Sequence, residues 1–224
     1  MDDLVEAIKW PTYDPEWVKK IILMSLITII PIVGALVLLG WMLTCLDYIR
    51  AGRNEMPPAG FGYIGRGLPL FVVGLVYGLA LGVVWLALFI IGTVIAAAGG
   101  SNNSGLGAIG GLFFLLATAW LIVGLLAAAL AAPAIILSTE RSGIPGGLNV
   151  PGIIALIRQN IAAAVLAAVS FIVASVIGSI GGVVCALGVY LTIAYGYAMM
   201  ARIIRGYEIQ LGQAAAPAVQ GGSV

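Results

Sequence analysis

The chain has 224 residues, of which 62% are hydrophobic and only 8% charged. A soluble domain carries about 25% charged residues, and several stretches here exceed the ~18 apolar residues that mark a membrane-spanning helix. A soluble globular fold is therefore excluded, and so is a β-barrel, because the runs do not alternate polar with apolar. The net charge of +1 gives no reason to expect nucleic acid as a partner. The absence of histidine removes the commonest general base and metal ligand. The composition predicts an all-α, polytopic membrane helical bundle with the lipid bilayer as its first partner and no cofactor.

In chain order, residues 2–10 (DDLVEAIKW) read as a short amphipathic helix at the membrane surface, with Leu4, Val5 and Ile8 on one face. The opening has no basic segment and does not read as a cleaved signal. In "YDPEWVKK", Asp14 suits an N-cap, Pro15 the first helical position and Glu16 the first turn, so a helix is expected from Pro15. Trp17, Lys19 and Lys20 then mark the interface, both lysines reaching for the headgroups.

The run 21–46 is uncharged and contains Pro31. Further apolar blocks cover 68–98, 106–137 and 161–201. The uncharged segment 99–105 (GGSNNSG) separates the first two, and a polar linker 138–151 precedes the third. That third block is long enough for two helices, with a tight turn expected at Gly178 and Gly181-Gly182. Residues 151–160 (PGIIALIRQN) read as an interfacial helix. The tail after Gln210 reads as disordered. The expected organisation is an interfacial segment 1–13, a transmembrane domain 14–208 and a flexible tail 209–224.

Two topologies compete. If 21–46 is one proline-kinked helix, there are five spans, and the ten basic residues divide three against seven across the membrane. If the chain turns at Pro31, there are six spans in three hairpins, with all ten on one side. The positive-inside rule favours six, with both termini cytoplasmic in the inner (plasma) membrane. An internal echo between 34–52 and 188–206 also favours the turn. Against it stands length: 15–30 spans about 24 Å, short of the ~30 Å hydrocarbon core.

"DPEWVKK", Pro31, Gly40-Trp41, "IRAGRNEMPP" and Gly74 together resemble an uncharacterised prokaryotic membrane-protein family, domain of unknown function 4013. The resemblance covers residues 12 to about 212. The segment AGFGYIGRG departs from it in lacking the acidic residues that the family tends to carry there. The resemblance implies a membrane fold and little chemistry.

Small residues recur at helical spacing: Gly74, Gly78 and Gly82; Gly107 and Gly111; Ala174, Gly178 and Gly182. Such faces let another helix approach closely, within the chain, in an oligomer or against other membrane subunits. Arg50, Arg53, Arg158, Arg202 and Arg205 are expected at the membrane interface, where they anchor the topology or meet anionic headgroups. Asp47 has the i,i+3 spacing for a pair with Arg50. Cys45 and Cys185 lie in apolar stretches and read as inert, small buried side chains. With no histidine and no charge inside the apolar blocks, no catalytic or metal site is expected.

Two functions fit. The first is a non-enzymatic scaffold or accessory subunit of a membrane complex. The second is a carrier or channel for a small neutral or apolar solute, which requires Thr44, Thr93, Thr118, Ser170, Tyr190, Thr192 and Tyr195 to line one polar cavity.

Overall fold

The computed structural model describes residues 2–99, 104–184 and 186–215. Helices α1 (Asp2–Lys9), α2 (Trp17–Thr28), α3 (Val33–Arg50), α4 (Ile64–Gly99), α5 (Ser104–Gly147), α6 (Val150–Gln159), α7 (Ile161–Val184) and α8 (Ala186–Ala215) follow one another. A single 3₁₀ turn, Trp10–Tyr13, joins α1 to the segment before α2. There is no strand among the described residues. The chain divides into two compact units, Met1–Val72 with Ala129–Val224, and Val73–Ala128.

In the first unit the chain reverses at Pro31. Proline cannot donate the next helical hydrogen bond. Ile32 then takes φ 64° and ψ −58°, and the Val33 amide donates to the Pro31 carbonyl at 2.7 Å. This is a γ-turn with a β-branched residue at its centre, a rare conformation. Gly34 lets the two arms meet, since a Cβ there would lie 2.6 Å from the Ile27 carbonyl oxygen. The reversal is proved by a distant contact. The Met56 amide donates to Asp14 Oδ2 at 2.8 Å. Laid end to end, α2 and α3 would separate those residues by about 45 Å, and the few residues after Arg50 cannot bridge that distance.

The turn by itself does not establish six membrane crossings. Helix α2 has 12 residues, about 18 Å against a ~30 Å hydrocarbon core. Among the described residues three helices, α3, α4 and α5, are long and apolar enough to cross, or four if α6 and α7, bent by 104°, count as one.

Four boundaries differ from the sequence reading. Helix α2 begins at Trp17 rather than Pro15, because Asp14, Pro15 and Glu16 form a turn capped by the Asp14 carboxylate. The expected linker at 138–151 is largely helical, α5 running to Gly147 with one break at Gly143 (φ 65°). Helix α7 continues through Gly178 and Gly181-Gly182 to Val184, so the chain does not turn at those glycines. Helix α8 extends past Gln210 to Ala215.

Helix α8 is the centre of the first unit and packs against α1, α2, α3 and α7. Trp41, Met24, Met42, Leu46, Leu137, Met199 and Ile204 fill this core. Helices α3 and α4 cross with their backbones in contact. A Cβ at Gly40 would meet the Tyr63 carbonyl, and one at Gly67 the Leu36 carbonyl.

The second unit is a helical hairpin. A Cβ at Gly92 would lie 3.0 Å from Phe113 Cβ, and one at Gly110 would lie 2.8 Å from Ala96 Cβ. Phe89 stacks near Trp85 and tilts against Phe114, with centroids 5.4 and 5.3 Å apart. The Trp120 indole N–H donates to the Leu81 carbonyl at 3.1 Å.

Candidate functional site

Two polar clusters stand out, both in the first unit. The first is built on Asp14, which is 2% exposed. Its Oδ1 accepts from the Glu16 amide at 2.8 Å. Its Oδ2 accepts from Lys20 Nζ at 2.6 Å and from the Met56 amide. Lys20 Nζ also donates to the Met56 carbonyl at 2.7 Å. The loop continues under restraint: the Trp41 indole N–H donates to the Pro57 carbonyl and the Tyr63 hydroxyl to the Pro58 carbonyl. A Schellman motif starts this loop, with Gly52 at φ 70° and the Arg53 amide donating to the Tyr48 carbonyl. Burial pushes the Asp14 carboxyl up, but the Lys20 ammonium and the Glu16 and Met56 amides outweigh it and hold the group below its ordinary value. The Lys20 side chain is thus turned onto Asp14 and largely covered, whereas Lys19 stays exposed beside Glu16.

The second cluster joins the ends of four helices. Arg50, in the last turn of α3, forks onto Glu140 of α5 at 2.7 and 2.8 Å, and onto Glu208 of α8 at 3.0 Å twice. The expected Asp47–Arg50 pair is present at 3.4 Å. Arg66, in the first turn of α4, reaches Asp47 at 2.5 Å and Glu140 at 3.5 Å. Arg205 and Arg141 approach Glu208 at 2.8 and 3.8 Å. Four arginines face three carboxylates, leaving one positive charge. Burial raises the Glu208 carboxyl, and Arg50 with Arg205 more than reverses this, so it titrates below its ordinary range. Arg50 and Arg205 are therefore members of an internal network.

The remaining expected site residues scatter. Trp17 packs edge-on against Tyr195, with centroids 6.1 Å apart. Arg53 lies over the Tyr48 ring at 4.8 Å. Arg158 is exposed at the end of α6. Arg202 lines a cavity of about 160 Å³ between α7 and α8. Nothing lies within 4 Å of a Cβ built at Gly74, Gly78, Gly82, Gly107 or Gly111. These glycines make no close helix contact within the second unit among the described residues. Ala174 does, being 1% exposed, and a Cβ at Gly196 would lie 3.2 Å from its carbonyl oxygen. The surroundings of Gly178, Gly182 and Cys185 lie outside the described residues; Cys45 is buried.

Five of the seven hydroxyls that a solute pathway requires turn to backbone, while Ser170 lines a cavity between α7 and α8. Those of Thr44, Thr93, Thr118 and Thr192 donate to carbonyls of their own helices, and Tyr195 donates to the Ile8 carbonyl. No group of three or more carboxylate or thiol side chains that could hold a metal is found among the described residues.

A family model described as "Protein of unknown function (DUF4013)" matches residues 23–189. The chain belongs to this family. The match is narrower than the resemblance over 12–212, and Asp14 and Lys20 lie ahead of it. No curated protein and no solved structure gives a match. The apolar helices of this DUF4013 chain fit a membrane protein, and the family is one of unknown function.

Proposed function

We propose that the protein is a non-enzymatic integral membrane protein of a prokaryotic plasma membrane, acting as a scaffold or accessory subunit, with both termini cytoplasmic. The observation that carries this reading is the surface of the α4–α5 hairpin. Only 6% of the most apolar window of α4 is buried. Leu75, Val76, Leu79 and Val83 stand exposed beside Gly74, Gly78 and Gly82, which have open space where a side chain would be. A ridge of small residues flanked by large apolar ones suits close approach by another membrane helix. The charged side chains of both clusters are committed to one another, which leaves them little freedom for chemistry. A carrier is less well supported, because the threonine hydroxyls are satisfied by their own helices rather than directed at a shared cavity.

The test is mild cross-linking in native membranes, followed by purification of the wild type and Gly78→Leu. The expected result is a stoichiometric partner or homo-oligomer with the wild type, lost in Gly78→Leu while the thermal stability of the isolated chain is kept. A wild-type chain that purifies alone and monomeric under both conditions contradicts the proposal.

A further inference from the structure

We infer that the groove between α7 and α8 is a binding site for one anionic phospholipid of the surrounding bilayer. Arg202 lines this groove and is only partly exposed. No carboxylate lies within salt-bridge distance of it among the described residues, whereas Lys20, Arg50, Arg66 and Arg205 each hold one. The Tyr13 phenol is close enough to feel its charge, and the hydroxyl of that phenol is engaged with Glu6. A partly desolvated guanidinium without a counter-ion is costly, and a phosphodiester fits its planar fork of donors.

The rest of the groove matches a lipid. Leu166, Val169 and Ile203 supply apolar walls, Ser170 adds a hydroxyl, and Gly206 leaves the floor open, with nothing within 4 Å of a built Cβ. The cavity of about 160 Å³ admits part of an acyl chain or a headgroup, not a whole lipid, so the ligand must lie partly in the bilayer. Helix α6, amphipathic by its sequence, meets α7 at 104°, the geometry of an interfacial helix leading into a span. The site therefore has a cationic end and a greasy wall in the order that a bilayer requires. The inference rests on membrane residence and stands whether or not the scaffold reading does.

The test is native mass spectrometry of the full chain in nonionic detergent, titrated with phosphatidylglycerol or phosphatidylcholine. One phosphatidylglycerol per chain is expected, with phosphatidylcholine weaker by about tenfold. Arg202→Gln and Gly206→Leu are each expected to lower phosphatidylglycerol retention about tenfold. Arg202→Lys should recover part of it, and Arg53→Gln, which removes an exposed cation, should match the wild type. Helical circular dichroism should be the same for all variants, and Arg202→Lys keeps the test decisive if Gly206→Leu misfolds. Four results would overturn the assignment. They are unchanged retention in Arg202→Gln, equal loss in Arg53→Gln (bulk attraction only), displacement of the lipid by millimolar inorganic phosphate, and a protein chain or second copy occupying the groove in place of lipid.

Discussion

Asp14 shows how one carboxylate can tie together segments far apart in sequence. Its capping oxygen is legible in "YDPEW", because an aspartate ahead of a proline and a glutamate is a helix-start signal. Its second oxygen is not legible, since its partner lies 42 residues on. Arg50 repeats the lesson: the pair with Asp47 follows from i,i+3 spacing, whereas Glu140 and Glu208 depend on helix packing that no local pattern encodes. Replacing Asp14 with alanine strands the Lys20 ammonium and the Met56 amide, and should destabilise the protein by about 3 kcal/mol, read as a lowered melting temperature in detergent. Arg50→Ala leaves Glu140 and Glu208 without their shared guanidinium and should cost a similar amount. The sign of the pH effect is fixed. Both Asp14 and Glu208 titrate below their ordinary values, so their contribution is fully present above the unfolded carboxyl range near pH 4 and is lost as pH falls through the folded values. Melting temperature should therefore fall with acidification below about pH 4, and less steeply in Asp14→Asn.

At the scale of the element, apolar runs and glycine or proline punctuation located most helices, and the structure differs mainly at their ends. Helix α5 enters the expected polar linker because Glu140 and Arg141 face partners on other helices, which offsets their polarity. The glycines were harder to read. Spacing tells which residues share a face but not which face meets a neighbour, so Gly74, Gly78 and Gly82 stood out while Gly40, Gly67, Gly92 and Gly110 make the close approaches. Two outcomes follow for the chain on its own. Gly67→Leu must push α3 from α4, because its Cβ would collide with the Leu36 carbonyl, and should abolish folded protein in a detergent fluorescence-elution assay. Gly74→Ala meets nothing and improves helix propensity, so its melting temperature should stay level or rise, with a gain of at most about 1 kcal/mol.

At the scale of the whole molecule, the turn at Pro31 decides how the basic residues are distributed. Composition alone excluded a soluble fold and a barrel. Charge distribution and the echo between 34–52 and 188–206 favour the reversal without proving it, because the γ-turn at Ile32 has no sequence signature beyond the proline ahead of it. The 12 residues of α2 explain the tension in the length argument: that helix turns back before it is long enough to cross. The described residues of the hairpin Val73–Ala128 carry extensive exposed apolar surface, which is what a bilayer or a membrane partner covers. The most direct measurement is side-specific maleimide labelling of sealed, oriented vesicles, in a background with Cys45 and Cys185 replaced by alanine. Single cysteines are placed at Val5 and Ser142, both exposed. A chain that reverses at Pro31 with its cations gathered on one side labels at both positions from the same face, whereas labelling from opposite faces contradicts that topology.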